Sequence, residues 1–265
     1  MNEITYRCRL FIRRIANLLN RMMISFISFI IFLSLYEALS RLNVINRLLL
    51  SCPSEIFSTL FDKSFLANIA PHILASLFRI ATAYLIGVFL GFCIGLLMGI
   101  SRIINDVFKP FLLFQYIAPT ALFPAMILLF GIGETSKILI LAYSIFFPVL
   151  ISTREGVKNV SKETIDAFKI MGASRLMIVK EIIIPAALPY VFVGMYISLI
   201  PAFVVLISAE MLGATNGLGY MILRYQRTFH VAQMFACIFL VMLMATFFAA
   251  IIRIFQKKYM HWMQR

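Results

Sequence analysis

The sequence predicts an all-α membrane protein with about six transmembrane helices, as its composition, its apolar runs and its basic residues all indicate. Of its 265 residues, 62% are hydrophobic and 13% are charged, whereas soluble domains are nearer half apolar and a quarter charged. The mean hydropathy is +0.97. A helix needs about 20 apolar residues to cross a membrane, so the spans occupy most of the chain. This composition excludes a water-soluble globular enzyme.

Six apolar runs are long enough to span a membrane. They fall at 22–40, 76–100, 110–130, 136–153, 189–212 and 232–252. With the N-terminus inside, the cytoplasmic segments are 1–21, 101–109, 154–188 and 253–265. These segments carry most of the 24 Lys and Arg residues, and cytoplasmic loops are enriched in these residues. We therefore expect a multi-pass protein with both termini in the cytoplasm, and the net charge of +13 then requires no nucleic-acid partner.

The first part of the chain comprises a basic N-terminus (1–21), a first transmembrane helix (22–40) and an outer loop (41–75). The basic start is followed by no small-x-small cleavage site, which favours a retained helix over a signal peptide. Within the outer loop, residues 53–75 alternate apolar and polar side chains with a helical period. This amphipathic helix either lies along the outer membrane interface or packs on the bundle. The core (76–255) and a short tail (256–265) complete the chain.

A ladder of glycines runs through the second apolar run. Gly87, Gly91, Gly95 and Gly99 recur at a spacing of four, which aligns them on one helix face. Such a face lets another helix approach closely. We therefore predict close helix packing here, either within the chain or between two copies.

Prolines interrupt several of the predicted spans, at Pro119, Pro124, Pro148 and Pro201. Each removes a backbone hydrogen bond and bends its helix, which membrane proteins tolerate when neighbouring groups satisfy the freed carbonyls. Bent helices of this kind suit a pathway that moves.

The loop at 154–188 predicts two short helices joined by a tight turn. Ser161 is a suitable N-cap, Gly172 is a suitable helix stop, and Ala173 and Ser174 precede a second helix over 175–184. The proline that follows, Pro185, is expected to end that helix. A DNA-binding helix-turn-helix is disfavoured because membrane spans flank the unit on both sides. The unit either docks a partner through its apolar side chains or packs only on its own bundle. Those side chains are Ile165, Phe168, Ile170 and Met171.

The same loop resembles the EAA loop of binding-protein-dependent ABC importer permeases, whose pattern is E-A-A, G, then I-x-L-P. Here Asp166-Ala167-Phe168 is followed after three residues by Gly172, and after nine more by the tetrapeptide at 182–185. Asp166 replaces Glu, and Phe168 replaces the second Ala. The glycine and the proline keep their spacing. The bulk of Phe168 is the departure that bears most on the fit to a particular partner.

Three further stretches resemble the nitrate, sulfonate and taurine branch of that family. They are residues 117–124, 130–137 and 210–220. With the loop, the resemblance covers nearly the whole chain beyond residue 50. It implies a type I (MetI-like) permease bundle.

The resemblance also implies a bacterial inner-membrane subunit that hydrolyses nothing itself. Two copies of the chain are expected to assemble in membrane lipid with a cytoplasmic dimer of P-loop ATPases and an external solute-binding protein. ATP and Mg²⁺ are expected to bind the ATPase, and no cofactor is expected in this chain, which lacks the GxxxxGK[ST] phosphate loop. The residues assigned to ATPase coupling are Asp166, Ala167, Phe168, Gly172, Ala173, Ser174, Arg175 and Pro185.

Polar groups at membrane depth are candidates for the transport path. Ionisable residues there are costly and often functional. The candidate path residues are Gln115, Pro119, Ser198, Ser208 and Glu210. Glu210 either contacts the path at its outer gate or pairs structurally with an outer arginine. The four cysteines and three histidines show no spacing typical of a metal site.

Together these features predict the transmembrane subunit of an importer for a small solute, expected to be an anion such as a sulfonate, taurine or nitrate. A vitamin-precursor heterocycle is the alternative solute within the same branch. A gradient-driven secondary carrier is the alternative from another class. Such a carrier predicts a central charge relay within the membrane and no coupling loop, whereas the sequence shows the opposite pattern.

Overall fold

The computed structural model describes residues 23, 27–28, 30–31, 34–42 and 51–259. The helices are α1 Pro53–Phe61, α2 Lys63–Ile100, α3 Arg102–Phe108, α4 Pro119–Phe130, α5 Glu134–Lys158, α6 Lys162–Ile170, α7 Arg175–Ile178, α8 Ile184–Gly213, α9 Leu218–Arg227 and α10 Val231–Tyr259. A 3₁₀ segment, Lys109–Tyr116, lies between α3 and α4, and a π-helical segment, Val179–Ile183, joins α7 to α8. Within the described residues there is no β-strand, which confirms the predicted all-α class.

Four helices in the described part of the chain are long and apolar enough to cross a membrane. They are α2, α5, the continuous helix Arg175–Gly213 and α10. A bent pair, Arg102–Tyr116 and Pro119–Phe130, is a fifth span if its two halves cross together. The predicted first span at 22–40 lies partly outside the described residues. Its only continuously described part is residues 34–40, which are helical. The predictions for 1–21 and for 260–265 also fall outside them.

Helix α5 is the centre of the bundle because α2 and α8 both pack closely against it. Its most buried side chains, Ile140, Leu141, Ile145 and Val149, have no exposed surface. A Cβ on Gly194 of α8 would lie 2.9 Å from a backbone carbonyl oxygen of α5. Side chains of α9 and α10 complete the same core. The bundle is therefore held mainly by two close helix pairs that share α5.

The predicted span at 110–130 is bent, as its prolines indicated, but it is not one continuous helix: the chain bends by 103° between two helical segments. Pro119 begins α4, and the residue before a proline is restricted to extended backbone. Ala118 accordingly has ψ 123°, and Ile117 has ψ 120°. Two consecutive extended residues cannot continue a helix. The apolar run therefore becomes a 3₁₀ segment followed by a separate helix.

The prediction that Pro185 ends a helix is also wrong. Residues Arg175–Gly213 form one continuous helix, and a π turn lies immediately before the proline. The Ile184 N–H donates to the Val179 carbonyl, five residues earlier. Because proline lacks an N–H and clashes with the carbonyl four residues before it, the wider turn accommodates the ring without breaking the helix.

The amphipathic helix predicted within 53–75 is short and packs on the bundle. It is α1, and Ile56 and Leu60 contact the main core. Phe57 meets Phe239 of α10 edge to face, with ring centroids 5.9 Å apart. The rest of the predicted stretch is the first part of α2. The structure thus favours the packed alternative over a helix lying free along the interface.

Candidate functional site

The loop at 154–188 forms a helical hairpin that projects beyond the ends of α5 and α8. We call residues 161–178 the coupling hairpin. Ser161 caps α6 by accepting a hydrogen bond from the Thr164 N–H, and Ser174 caps α7 by accepting one from the Met177 N–H. Both oxygens satisfy N–H groups that have no partner inside the helix. The hairpin is therefore defined by local sequence.

The turn of the coupling hairpin is a Schellman motif centred on Gly172. The Ala173 N–H donates to the Phe168 carbonyl at 3.0 Å, and the Gly172 N–H donates to the Lys169 carbonyl at 2.9 Å. These are the two bonds that define the motif. Gly172 has φ +83°, a left-handed conformation that side chains with a Cβ rarely adopt.

One face of the hairpin packs on the bundle, and the other is exposed. Phe168 and Ala173 contact a small core that includes Val157 and Ile178. The opposite face carries large apolar side chains with high fractional exposure. They are Ile170 at 87%, Met171 at 78%, Leu176 at 82% and Met177 at 51%. An exposed apolar patch on a folded surface is typical of an interaction site.

The remaining predicted coupling residues lie on or near this surface. Asp166 pairs with Lys169 of its own helix at 2.8 Å, with both side chains more than half exposed. An exposed pair of this kind contributes at most about 1 kcal/mol. Ala167, Ser174 and Arg175 are exposed, whereas Pro185 is half-buried at the π turn. The coupling surface is thus mainly apolar, with one charged pair beside it.

A cavity of about 410 Å³ lies between the 3₁₀ segment, α4, α5 and α8. Its lining residues are Gln115, Pro119, Tyr143, Ser144, Phe147, Pro148, Ile151, Ser152, Ile197 and Pro201. Among the described residues that line it, none carries a charge. The polar groups are hydroxyls and one amide. Three of the four prolines singled out in the sequence line this cavity, and it is the strongest candidate for the transport path.

Three predicted path residues lie away from this cavity. Ser198 is fully buried and contacts the Tyr84 hydroxyl at 3.1 Å. Ser208 donates to the carbonyl of Val204 in its own helix. Glu210 is fully buried and pairs with Arg79 at 2.8 Å. Glu210 therefore pairs with an arginine, as one of the two alternatives for it predicted, and Ser198 bonds to a neighbouring helix, whereas Ser208 bonds within its own helix.

Arg79 is the centre of a buried polar network at the opposite end of the bundle from the coupling hairpin. Its guanidinium donates to Glu134 at 2.6 and 2.7 Å and to Glu210 at 2.8 Å. It also donates to the backbone and side-chain oxygens of Asn216. Ser76 and the Gly219 N–H donate to Glu210 as well. We call this the outer network, and it joins α2, α5, α8 and the loop before α9.

Sequence reasoning found only some of the residues of the cavity and of the outer network. Arg79 and Glu210 are recognisable as ionisable residues in apolar runs, whereas Glu134 and Asn216 lie in the stretches 130–137 and 210–220, whose resemblance to the permease branch gave no role to either residue. Tyr143, Ser144 and Ser152 of the cavity gave no signal, because isolated hydroxyls are common in membrane helices. Their placement depends on how α5 is rotated in the bundle.

The glycine ladder faces α5 along its whole length. A Cβ on Gly87, Gly91 or Gly95 would lie 2.6–2.9 Å from a backbone carbonyl oxygen of α5. One on Gly99 would lie 2.4 Å from the Val157 side chain. The predicted ladder is therefore an internal packing surface of the chain, and it holds α2 directly against the helix that leads into the coupling hairpin.

Comparison with known proteins gives a consistent result. Residues 83–261 match the sequence profile of a family described as binding-protein-dependent transport system inner membrane component. The match includes the cavity, the coupling hairpin and Glu210 of the outer network. It begins just after Arg79.

Three relatives show how the similarity is distributed. The taurine transport system permease protein of Escherichia coli (strain K12) is 35% identical over 72% of this chain and 72% of its own length. A permease protein of Bacillus subtilis (strain 168) named for aliphatic sulfonates transport is 28% identical over 88% of this chain and 84% of its own. The nitrate import permease protein of Synechococcus elongatus is 30% identical over 57% of this chain and 54% of its own.

Proposed function

The chain belongs to the binding-protein-dependent transport system inner membrane component family, and from this premise we propose that it is the permease subunit of an ABC importer for a small anion of the taurine, sulfonate or nitrate type. It is a multi-pass inner-membrane protein. Both termini lie in the cytoplasm in this proposal. The chain itself hydrolyses no ATP and holds no cofactor. ATP and Mg²⁺ bind a separate ATPase.

The observation that carries the proposal is the exposed apolar face of the coupling hairpin. Ile170 and Leu176 expose more than four-fifths of their surface to water, although each would stabilise a protein contact by roughly 1.5–3 kcal/mol if fully buried. The rigid Schellman turn fixes the position of Ile170 and Met171. A surface of this shape and chemistry fits a groove in a soluble partner, which we identify as the ATPase.

The hairpin is connected directly to the cavity walls. Helix α5 runs from Glu134 through Tyr143, Pro148 and Ile151 of the cavity to the start of the hairpin. The helix Arg175–Gly213 begins at the end of the hairpin and returns through Ile197. Movement of a docked ATPase therefore acts on two helices that both line the cavity. This connection provides a physical route from ATP-driven closure of the partner to opening and closing of the path.

The cavity suits passage better than tight binding. Its described lining residues carry no charge, so an anion gains no strong ion pair that would hold it. In this proposal, selectivity comes mainly from an external solute-binding protein. The six-span pattern supplies half of a two-sided path, and a second copy of the chain supplies the other half.

Replacing Ile170 with serine tests the docking surface. The complex is purified in mild detergent, and the amount of ATPase retained on the tagged chain is measured by quantitative mass spectrometry. We expect Ile170→Ser to weaken retention about tenfold or more, because an apolar contact worth roughly 1.5–3 kcal/mol is lost. Ile132→Ser is the matched control, since Ile132 is 78% exposed but lies at the other end of α5.

Three results would contradict the proposal. Equal retention of the ATPase by the Ile170→Ser and wild-type chains would show that the exposed face does not dock it. Recovery of the wild-type chain without any P-loop ATPase, under conditions in which other ABC complexes remain intact, would favour a gradient-driven carrier. Loss of the ATPase from both variants would show that the effect is not local to the hairpin.

A further inference from the structure

A second, polar cavity lies at the outer-network end of the bundle, between the first part of α2 and helix α9. Its volume is about 370 Å³, at the lower end of the ~300–1,000 Å³ typical of small-molecule sites. The polar side chains that line it are Asn68, His72, Arg224, Tyr225, Thr228 and His230. We call it the outer pocket. None of these residues lines the central cavity.

The charge of the outer pocket favours an anion. Arg224 lines it, and no acidic side chain is among the lining residues that the structure describes. Arg79, the other arginine at this end of α2, has two carboxylate partners within 2.8 Å. Arg224 has no ion-pair partner in the described part of the chain. An always-charged guanidinium facing a polar pocket attracts oxyanions and repels metal cations.

The pocket also supplies neutral hydrogen-bond donors. The Gly217 N–H donates to Nδ1 of His72 at 3.1 Å, so the proton of the neutral ring is at Nε2 and that atom is a donor. Burial raises the pKa of the Tyr225 hydroxyl, which therefore stays protonated. The Asn68 amide is a third donor. Together with Arg224, these groups are hydrogen-bond donors of the kind that bind an oxyanion.

The His72 side of the pocket is preorganised by its connection to the outer network, whereas the Arg224 side chain is exposed. The His72 ring stacks on Tyr220 with centroids 6.0 Å apart, and its Nδ1 is held by Gly217. The neighbouring residue, Asn216, is bound by Arg79. The His72 ring therefore has a fixed orientation, and little side-chain entropy is lost when a ligand binds.

We propose that the outer pocket binds a small soluble oxyanion of the sulfonate or sulfate class and holds it at the outer face of the permease. This inference rests on the proposed function, because an importer for such anions gains from a site that concentrates them near the path entrance. The described lining residues of the 410 Å³ cavity carry no charge, so attraction of the anion is left to another part of the chain. A lipid phosphate offers similar oxygen atoms, so the test separates the two sources.

The test measures the reaction of a cysteine placed in the pocket. Thr228→Cys, at a lining position that supplies none of the donors named above, is introduced into a chain whose four native cysteines are replaced by alanine, and the complex with its ATPase is reconstituted in nanodiscs of phosphatidylcholine. The probes are a sulfonate-bearing methanethiosulfonate reagent and its trimethylammonium counterpart. A unit charge about 6 Å away in a high dielectric changes each rate about threefold in opposite directions. Arg224→Gln is therefore expected to lower the anion-to-cation rate ratio about tenfold.

The matched control is Arg227→Gln, because Arg227 is an exposed arginine of the same helix that does not line the pocket. It is expected to change the ratio less than twofold. Arg224→Lys keeps the charge and is expected to restore most of the ratio, which would show that the change in the glutamine variant follows the lost charge. In the chain that retains Arg224, millimolar sulfate or taurine is expected to slow the reaction of the cysteine with the sulfonate reagent at least threefold.

Three outcomes overturn the proposal. The first is an unchanged rate ratio in Arg224→Gln. The second is a lack of protection by sulfate and taurine. The third is protection that arises only when phosphatidylglycerol replaces phosphatidylcholine, which would assign the pocket to a lipid headgroup. None of these measurements uses transport, so a failure of the pocket remains distinct from a failure of the proposed function, which would show as absent ATP-driven uptake.

Discussion

Replacing Gly172 with valine isolates the contribution of the hairpin turn to coupling. A Cβ at this position would meet no atom within 4 Å, so the substitution adds no steric clash with the rest of the protein. Its cost comes from the left-handed backbone at φ +83°, which disfavours L side chains by roughly 1–2 kcal/mol. For a β-branched side chain such as valine we take the upper value of this range. About 2 kcal/mol corresponds to a roughly 30-fold change in an equilibrium.

That change acts on the equilibrium between the native turn and a rearranged one. In a rearranged turn the 2.9 and 3.0 Å bonds that close the Schellman motif are lost, and the exposed Ile170 and Met171 no longer hold their positions. The variant is expected to insert into the membrane normally, because the affected residues lie outside the spans. Uptake per ATP hydrolysed is expected to fall by a factor of about 10 to 30.

The assay measures ATP-driven uptake of radiolabelled solute and ATP hydrolysis in the same proteoliposomes. Gly133→Val is the control for side-chain bulk, since Gly133 also has no atom within 4 Å of a Cβ but has an extended backbone (φ −154°, ψ −173°) that valine adopts, and it lies at the opposite end of α5. Gly172→Asn should retain most of the activity, because asparagine tolerates the left-handed region. If Gly172→Val keeps full uptake, or if both valine variants lose it equally, the reasoning about the turn is refuted.

Two predictions concern the stability of the bundle, measured as thermal unfolding of the purified chain. Gly95→Ala places a Cβ 2.6 Å from a carbonyl oxygen of α5, so overpacking is expected to cost roughly 1–3 kcal/mol. The control Gly133→Ala, whose Cβ has no atom within 4 Å, should change stability by less than about 0.5 kcal/mol. Equal melting temperatures of the two variants would contradict this account. Glu210→Gln removes a fully buried carboxylate partner of Arg79 and is expected to cost about 3 kcal/mol of stability. Glu134→Gln should cost less, because that side chain is 48% exposed. A larger loss of stability in Glu134→Gln than in Glu210→Gln would show that the outer network is organised differently.

The coupling hairpin was predictable because its signals are local. The caps at Ser161 and Ser174 and the stop at Gly172 each act on backbone groups within a few residues, and the structure shows all three. A bend at Pro119 was predictable, but the complete interruption of the helix there was harder to predict, since a proline in a membrane helix is often tolerated without a break. Whether it breaks the span depends on the packing of the neighbouring 3₁₀ segment, which no local pattern encodes.

The outer network was less predictable because its members are far apart in sequence. Arg79 lies 55 residues from Glu134 and 131 residues from Glu210, and a single sequence does not indicate which ionisable groups meet. The partner of the glycine ladder was undetermined for the same reason. Its spacing defines one face of α2, but the face of α5 that it contacts is set by the whole bundle.

The packing of α5 limits how the permease can move. Its contact with α2 leaves no room for sliding, because a single added carbon on the glycine ladder would lie 2.4–2.9 Å from α5. These two helices must therefore move as one rigid body, tied at the outer end by the salt bridge between Arg79 and Glu134. The irregular positions lie elsewhere: the 103° bend before Pro119 is at the cavity, Pro201 lies inside α8 where α8 lines the cavity, and the π turn precedes Pro185. Because Gly194 packs α8 equally closely on α5, where a Cβ would lie 2.9 Å from the Pro148 carbonyl oxygen, α8 is expected to move with the α2–α5 pair. Force from the coupling hairpin is thus expected to move these three helices against α4 and the 3₁₀ segment, which changes the cavity between them.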